Sequence, residues 1–202
     1  MESSWKESAE ELLEMGLEQF RHRLNDPSWE HYKTSGGEKV FKMRGSTGFA
    51  TFKTTAEIDK SARTVFNFLR LNPHSPSRWG HKLANLEIKE ELSDIKLVYA
   101  EIQPKPRTPI REIIFVEKGF EESGKFYVIG KSLDTTDIQP KEGHIRAQLL
   151  LNGYKVTPLG DNSCRVSYIV EIDPSGYLSD SKKEKFERNI AMELKGMFNN
   201  IY

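Results

Sequence analysis

The stretch that decides the fold is Cys164–Asp173 (CRVSYIVEID) together with the helix-like segment that follows it. It closes a series of long apolar segments separated by turns rich in glycine, proline, asparagine and acidic residues, the pattern of antiparallel strands. The strands predicted in this half of the chain are Ile110–Lys118, Lys125–Leu133, His144–Thr157 and Cys164–Asp173. A curved antiparallel sheet wrapped around one helix leaves space between them for an apolar ligand.

The last strand and the last helix each have one apolar face. Side chains alternate between the two faces of a strand, and apolar residues three or four apart share one face of a helix. The strand therefore presents Cys164, Val166, Tyr168, Val170 and Ile172 together, and the helix presents Phe186, Ile190, Leu194, Met197, Phe198 and Ile201. Lys182, Lys183, Lys185, Glu187 and Arg188 are expected on the solvated side of the helix. From periodicity alone, an ordinary hydrophobic core is the better interpretation of these faces.

The first half of the chain alternates between helical and strand patterns. The predicted elements are a helix over Ser4–Leu24, a hairpin of Glu30–Lys33 and Lys39–Arg44, a strand Phe49–Ile58, a helix through Ala62 and Leu69 capped by Asp59 or Ser61, and strands Leu83–Leu92 and Ile95–Gln103. No linker or repeat interrupts them. We therefore predict a single α+β domain over residues 1–202.

Ordered motifs in the second half resemble the START domain, the lipid-transfer domain named after the steroidogenic acute regulatory protein. They are Arg111-Glu112, Tyr127-Val128-Ile129 followed by Ser132, Gly143–Ala147, and Tyr168–Leu178, with a looser match through Trp29, Gly36-Gly37, Val40-Phe41 and Trp79. The resemblance implies a helix-grip fold, in which a long curved antiparallel sheet wraps around a C-terminal helix and encloses a hydrophobic tunnel. In that family the last helix covers the tunnel mouth and moves to admit lipid.

The resemblance also implies which residues bind the ligand: Trp79, Tyr99, Glu101, Arg111, Phe115, Arg146, Leu150, Val166, Tyr168, Val170, Ile190, Leu194 and Phe198. Glu101 matches a position whose carboxylate lies in the tunnel of some members. Glu117 stands where sterol-binding members have the arginine that pairs with it, and here we expect Glu117 to face water. For Arg111 and Arg146 a structural role is expected, as an arginine fork on Glu112 or Asp173.

Two departures from the family affect the choice of ligand. The positions of the aromatic cage for phosphocholine hold Ala100, Ile113 and Leu150, which leaves phosphatidylcholine as one candidate among several. The proline loop before Arg111 carries Lys105 and Arg107, which would contact a membrane at the tunnel mouth by attracting anionic headgroups. A rigid, solvated turn is an equally good interpretation of this loop.

Composition agrees with a soluble single domain. Thirty basic and thirty acidic residues cancel, so no strong field favours nucleic acid. No apolar run is long enough to span a membrane, residues 1–24 lack a signal-peptide core, and Cys164 is the single cysteine. A cytoplasmic location and a monomer follow as expectations.

No catalytic or metal-binding motif is visible in the sequence, so neither a cofactor nor a metal is expected. We expect a protein that binds one lipid, a phospholipid or a sterol, and transfers it between membranes through transient surface contact. The alternatives are a lipid-sensing or scaffold module without transfer, and an enzyme that acts on a hydrophobic substrate.

Overall fold

The computed structural model describes residues 5–35, 38–71, 83–102, 109–134, 138–176 and 178–193. The helices in these residues are α1 (Trp5–Leu24), α2 (Ala62–Leu71) and α3 (Asp180–Glu193). The strands are β1 (Glu30–Ser35), β2 (Glu38–Arg44), β3 (Ala50–Ile58), β4 (Leu83–Leu92), β5 (Ile95–Ile102), β6 (Arg111–Glu122), β7 (Lys125–Ser132), β8 (Ile145–Arg146), β9 (Gln148–Gly160) and β10 (Ser163–Asp173). The α+β helix-grip class predicted from the sequence is confirmed.

The ten strands belong to one sheet, in which nine follow the order β1-β2-β3-β10-β9-β7-β6-β5-β4. Neighbouring strands along this path are antiparallel, and the short β8 pairs in parallel with β6. The last long strand, β10, therefore lies near the middle of the sheet, between β3 and β9. This position pairs a strand from the first third of the chain, β3, with the last strand, β10.

The sheet has two buried faces, which we call inner and outer. The inner face packs against α2 and α3 in a cluster that includes Val65, Leu69, Tyr154, Val166 and Ile190. The outer face packs against α1 in a second cluster. Alternation along each strand therefore separates residues that meet α2 and α3 from residues that meet α1.

Gly153 in β9 allows α1 to lie close to the outer face. A Cβ atom at this position would lie 2.2 Å from Cδ2 of Phe20, a fully buried side chain of α1. Any side chain here would therefore displace the helix. Phe20 therefore packs directly against the backbone of Gly153, and α1 is part of the hydrophobic core on the outer face.

Several element boundaries differ from those predicted. Strand β6 continues to Glu122, and the turn shrinks to Ser123-Gly124, both with positive φ as in a type I′ hairpin turn. The strand predicted over His144–Thr157 is interrupted at Ala147, whose N–H donates to the carbonyl of Glu112 at 2.9 Å. The predicted Ser61 cap of α2 is confirmed, since its Oγ accepts from the N–H of Thr64 at 3.2 Å.

Candidate ligand-binding face

The inner face contains five of the ten apolar residues predicted to bind the ligand. Phe115, Val166, Tyr168 and Val170 are each buried to 3 % exposure or less, and Ile190 of α3 belongs to the same cluster. Cys164 lies there too, and burial raises the pKa of its thiol to about 11. The predicted apolar face of the last strand is therefore confirmed as the surface that meets α2 and α3.

Tyr99 and Glu101, by contrast, lie on the outer face. The phenol of Tyr99 donates to Glu101 Oε1 at 2.7 Å and lies 3.0 Å from Glu112 Oε2, and its ring packs in the cluster beneath α1. On β5 it is Val98 and Ala100 that point inward. The interior position expected for Glu101 is therefore not what the structure shows.

The outer-face carboxylates are held by cations and backbone from the segment that leads into β8. Lys141 Nζ donates to Glu101 at 2.6 Å, while Arg146 binds Glu112 Oε1 through Nε at 2.9 Å and Nη2 at 2.7 Å. Burial raises the pKa of both carboxyls, but these hydrogen bonds outweigh it, so each pKa is lowered. Burial, together with hydrogen bonds to both carboxylates, raises the pKa of Tyr99. The predicted arginine fork on Glu112 is confirmed, and Arg146 links β8 to β6.

Polar residues also cross the inner face in a single row. Lys96 pairs with Glu117 on β6, Glu117 with Gly130 on β7, and Gly130 with Asn152 on β9. Exposure is 8 % for Lys96, 2 % for Glu117 and zero for Asn152. Glu117 was expected to face water and is instead buried on the inner face. Charged and amide groups in this position are unusual because burying them is costly unless they have partners.

Asn152 is the functional candidate that sequence reasoning missed. Its Oδ1 accepts from the phenol of Tyr168 at 2.9 Å, and its Nδ2 is buried without a hydrogen-bond partner among the described residues. Tyr168 in turn stacks on Tyr154 with ring centroids 4.2 Å apart, which fixes the direction of the phenol. The signal in the sequence was a lone asparagine after three leucines in a strand.

Helix α3 is attached to the edge of the inner face through Glu187. One carboxylate oxygen accepts from the N–H of Ala50 at 3.0 Å, and the other binds Lys42 Nζ at 2.7 Å. Phe186 packs edge-to-face on Phe49 at 6.1 Å. Glu187 was expected on the solvated side of the helix and is 92 % buried because it caps the start of β3.

The remaining predicted site residues lie elsewhere. Arg111 is half-buried and donates to the carbonyl of Pro109 at 2.9 Å, and burial lowers its pKa. Leu150 is half-buried at an irregularity where Glu171 pairs with Leu151 and Ile172 with Leu149. Five further predicted residues lie outside the described part of the chain: Trp79, Lys105, Arg107, Leu194 and Phe198.

No group of metal-ligating side chains occurs in the part of the chain that the structure describes. Within the same part, no helix combines the length and the apolar character needed to cross a membrane.

Comparison with known families gives one match that spans almost the whole chain. A family model described as the START domain matches residues 5–194. A search of curated proteins by sequence finds no match.

Solved structures share the fold at low sequence identity. Human StAR-related lipid transfer protein 5 superposes with a TM-score of 0.82 at 14 % identity, over 97 % of this chain and 97 % of that one. Human STARD10 gives 0.77 at 17 % identity, over 91 % of this chain and 77 % of that one. The aromatase/cyclase Zhui from a Streptomyces species gives 0.53 at 12 % identity, over 75 % of this chain and 90 % of that one. At these identities the superpositions establish the fold alone.

Proposed function

Because the chain belongs to the START family, we propose that it binds one lipid molecule between the inner face and helices α2 and α3, and transfers that lipid between membranes as a cytoplasmic monomer. The observation that carries the proposal is the inner face itself. Apart from the row of Lys96, Glu117 and Asn152, this face is apolar across β3, β10, β9, β7, β6 and β5. Two helices among the described residues cover it.

The physical advantage of such an interior is that it replaces the bilayer during transfer. A lipid that leaves a membrane exposes its chains to water at a cost near 0.8 kcal/mol for each CH₂ group. An apolar protein interior removes most of that cost. The lipid then needs no chemical change, and the proposed function requires no catalytic group.

Membrane contact is proposed at the loop that carries Lys105 and Arg107. Cations near an anionic surface contribute about 1 kcal/mol each. If this loop docks, the double charge reversal Lys105→Glu with Arg107→Glu slows transfer from anionic vesicles, and salt slows the wild-type protein in the same way. Neutral vesicles serve as the control, because no surface charge is present to attract the loop. Equal rates for both proteins on anionic vesicles would assign docking to another surface.

The carrier function is tested by native mass spectrometry of the purified protein after incubation with mixed liposomes. We expect a mass increase that corresponds to one lipid per chain, and extraction then identifies the lipid. A fluorescent lipid assay between vesicles measures transfer in parallel. Recovered lipid of unchanged mass excludes an enzymatic product.

Each outcome separates the carrier from its alternatives. Transfer at unchanged lipid mass supports the carrier. Lipid binding without transfer, combined with a protein partner that binds only the loaded form, would support a sensing module. A chemically altered lipid would support an enzyme, as in the aromatase/cyclases that share the fold. Absence of any bound lipid after repeated mild preparation would exclude the carrier.

A further inference from the structure

An open cleft of about 520 Å³ lies between α3 and the hairpin of β2 and β3. Its charged lining residues are Glu30, Lys42, Arg44, Lys183 and Glu187. In the part of the chain that the structure describes, none of the residues predicted to bind lipid lines it. The cleft is therefore a different site from the face proposed to bind lipid, and the carrier function does not use it.

The charges in the cleft form two successive pairs between β2 and α3. In the first pair, Lys42 Nζ binds Glu187 Oε2 at 2.7 Å, while the other oxygen of Glu187 accepts from the N–H of Ala50 at 3.0 Å. Arg44 lies two residues further along β2, on the same side of the strand as Lys42. Lys183 lies one turn from Glu187 on the same side of α3. The second pair therefore consists of two cations, Arg44 and Lys183, which we call the cationic pair.

Both members of the cationic pair lie toward the turn between β2 and β3. Arg44 is the last residue of β2, directly before that turn. Lys183 Nζ lies 5.0 Å from the centroid of the Phe49 ring and would lie 3.8 Å from a Cβ atom at Gly48, and both of these residues belong to the turn. Two strand residues span about 7 Å and one helical turn about 5.4 Å. The two cations are therefore displaced from the first pair in the same direction and by similar distances, so they face each other across the cleft.

Neither cation has a carboxylate partner among the described residues. Of the two carboxylates in the cleft, Glu187 uses both oxygens in the first pair, and Glu30 lies opposite Lys42 in the pairing of β1 with β2. Lys183 is half-buried, so water screens its charge less than that of a fully exposed lysine. Two facing cations raise the free energy of the empty cleft, and an anion bound between them removes that cost.

The turn beside the cationic pair is held in one conformation by Glu171. Ser46 donates to Glu171 Oε1 through its N–H at 2.7 Å and through its hydroxyl at 2.8 Å. The N–H of Gly45 donates to the carbonyl of Phe49 at 2.8 Å, which closes the turn. One side of the cleft is thus fixed before any ligand arrives, and a preorganised site loses less entropy on binding.

We propose that this cleft binds a phosphate group between Arg44 and Lys183. A guanidinium offers two parallel N–H donors to phosphate oxygens, and an ammonium adds further donors and a second positive charge. A phosphate monoester is close to a dianion at pH 7, so it matches the two cations in charge. The volume of the cleft exceeds that of a phosphate group, which makes the ligand a larger phosphorylated molecule, either a soluble compound or the headgroup of an anionic lipid.

Calorimetric titration with glycerol 3-phosphate, in a buffer free of phosphate and sulfate, tests the soluble source. We expect saturable binding of one molecule per chain that weakens as salt is added, and no binding of glycerol. Sedimentation with vesicles of phosphatidylcholine, with and without phosphatidic acid, tests the headgroup source. Binding of the soluble probe would identify a soluble ligand, and binding of phosphatidic acid vesicles alone would identify a headgroup. Binding of neither probe would overturn the proposal.

Two variants show whether the cationic pair holds the phosphate. Lys183→Gln should weaken binding about tenfold, a loss of about 1.4 kcal/mol. Arg44→Lys keeps the charge but loses the planar fork, so it should weaken binding severalfold. Lys182→Gln is the matched control, because Lys182 is an exposed neighbour on α3 that does not line the cleft, and it should bind as the wild type does. Equal losses in Lys182→Gln and Lys183→Gln, with either probe, would assign binding to general surface charge and overturn the site.

Lys183→Glu tests the geometry without any ligand, because it supplies the negative charge that the phosphate is proposed to bring. Amide hydrogens of α3 should exchange severalfold more slowly in this variant than in the empty wild type, as they should in the wild type with glycerol 3-phosphate. Lys182→Glu is the control, since it has a similar interaction with the helix dipole and lacks Arg44 as a partner. Equal exchange in the two variants would show that Arg44 and Lys183 do not face each other, and would overturn the site. The carrier function would still stand, because these measurements involve no transported lipid.

Discussion

Two buried carboxylates, Glu112 and Glu171, secure the outer face of the sheet. Glu112 binds Arg146 and the N–H of Lys141, and Glu171 accepts from Ser46, Thr51 and Arg23. Both side chains have zero exposure, so each depends on these partners to offset lost hydration. Hydrogen-bonded ions in such places contribute to stability mainly because losing one partner leaves the other buried and unpaired.

Glu112 should make the free energy of unfolding depend on pH. A carboxyl group whose pKa is lower in the folded chain than in the unfolded chain adds stability above its ordinary value, here 4.5, and this stability is lost as pH falls through the lowered value. Glu112→Gln should therefore reduce the free energy of unfolding at pH 7 by about 2 kcal/mol. The deficit should shrink as the pH falls below 4.5 and the wild-type carboxyl group takes up a proton.

Urea unfolding across this pH range measures the effect. Glu57→Gln is the matched control because Glu57 and its partner Arg165 are both exposed, and an exposed ion pair contributes less than about 1 kcal/mol. A deficit of constant size at every pH at which the protein stays folded would show that the charge of Glu112 is not the source of its contribution.

Cys164 provides a test of burial on the inner face. With its pKa raised to about 11, roughly one thiol in a thousand is ionised at pH 8, and the side chain has no exposure to solvent. Iodoacetamide should therefore leave the native protein unmodified over hours and alkylate it rapidly in urea. Rapid stoichiometric labelling without denaturant would mean that the inner face opens readily to water.

Among the secondary-structure elements, helix α3 has an attachment to β2 and β3 that a single substitution can remove. Replacing Glu187 with Ala removes the acceptor of the Ala50 N–H and the partner of Lys42, without lowering helix propensity. We expect amide hydrogens of α3 to exchange about tenfold faster while those of β10 are unchanged, because a local contact is lost and the sheet is not. If α3 is the lid, bound lipid should also dissociate faster.

Glu184→Ala is the control for this experiment, because Glu184 lies on the same helix and is exposed. Faster exchange in α3 and β10 together, with an earlier unfolding transition, would show that α3 unfolds with the core and does not act as a separate lid.

The alternation of apolar and polar residues, together with the turn residues, was enough to predict the strands. It did not show which side chains of β5 point to the inner face. Residues Ile95–Ala100 are buried on both sides, so the sequence shows no polar face from which to tell inside from outside. Glu101 was therefore placed by the family resemblance alone, and the structure has it on the other face. Glu117 was misassigned for the opposite reason, since a glutamate within a strand is usually solvated. Asn152 and Glu187 depend on partners distant in sequence, which no local pattern indicates.

At the scale of the whole molecule, a lipid bound between the sheet and its helices should stabilise every element that contacts it. A ligand that binds only the folded state at one hundred times its Kd adds about 2.7 kcal/mol. For a chain of 202 residues each kcal/mol raises the thermal midpoint by about 2–4 °C. The delipidated protein reloaded with its lipid should therefore melt about 5–10 °C higher in differential scanning calorimetry.

The dependence on lipid concentration distinguishes specific loading from general protection by membranes. The midpoint should continue to rise with the logarithm of free lipid once the site is filled. A midpoint that does not change with the concentration of free lipid would indicate general protection by membranes, and no shift with any lipid would contradict the carrier function.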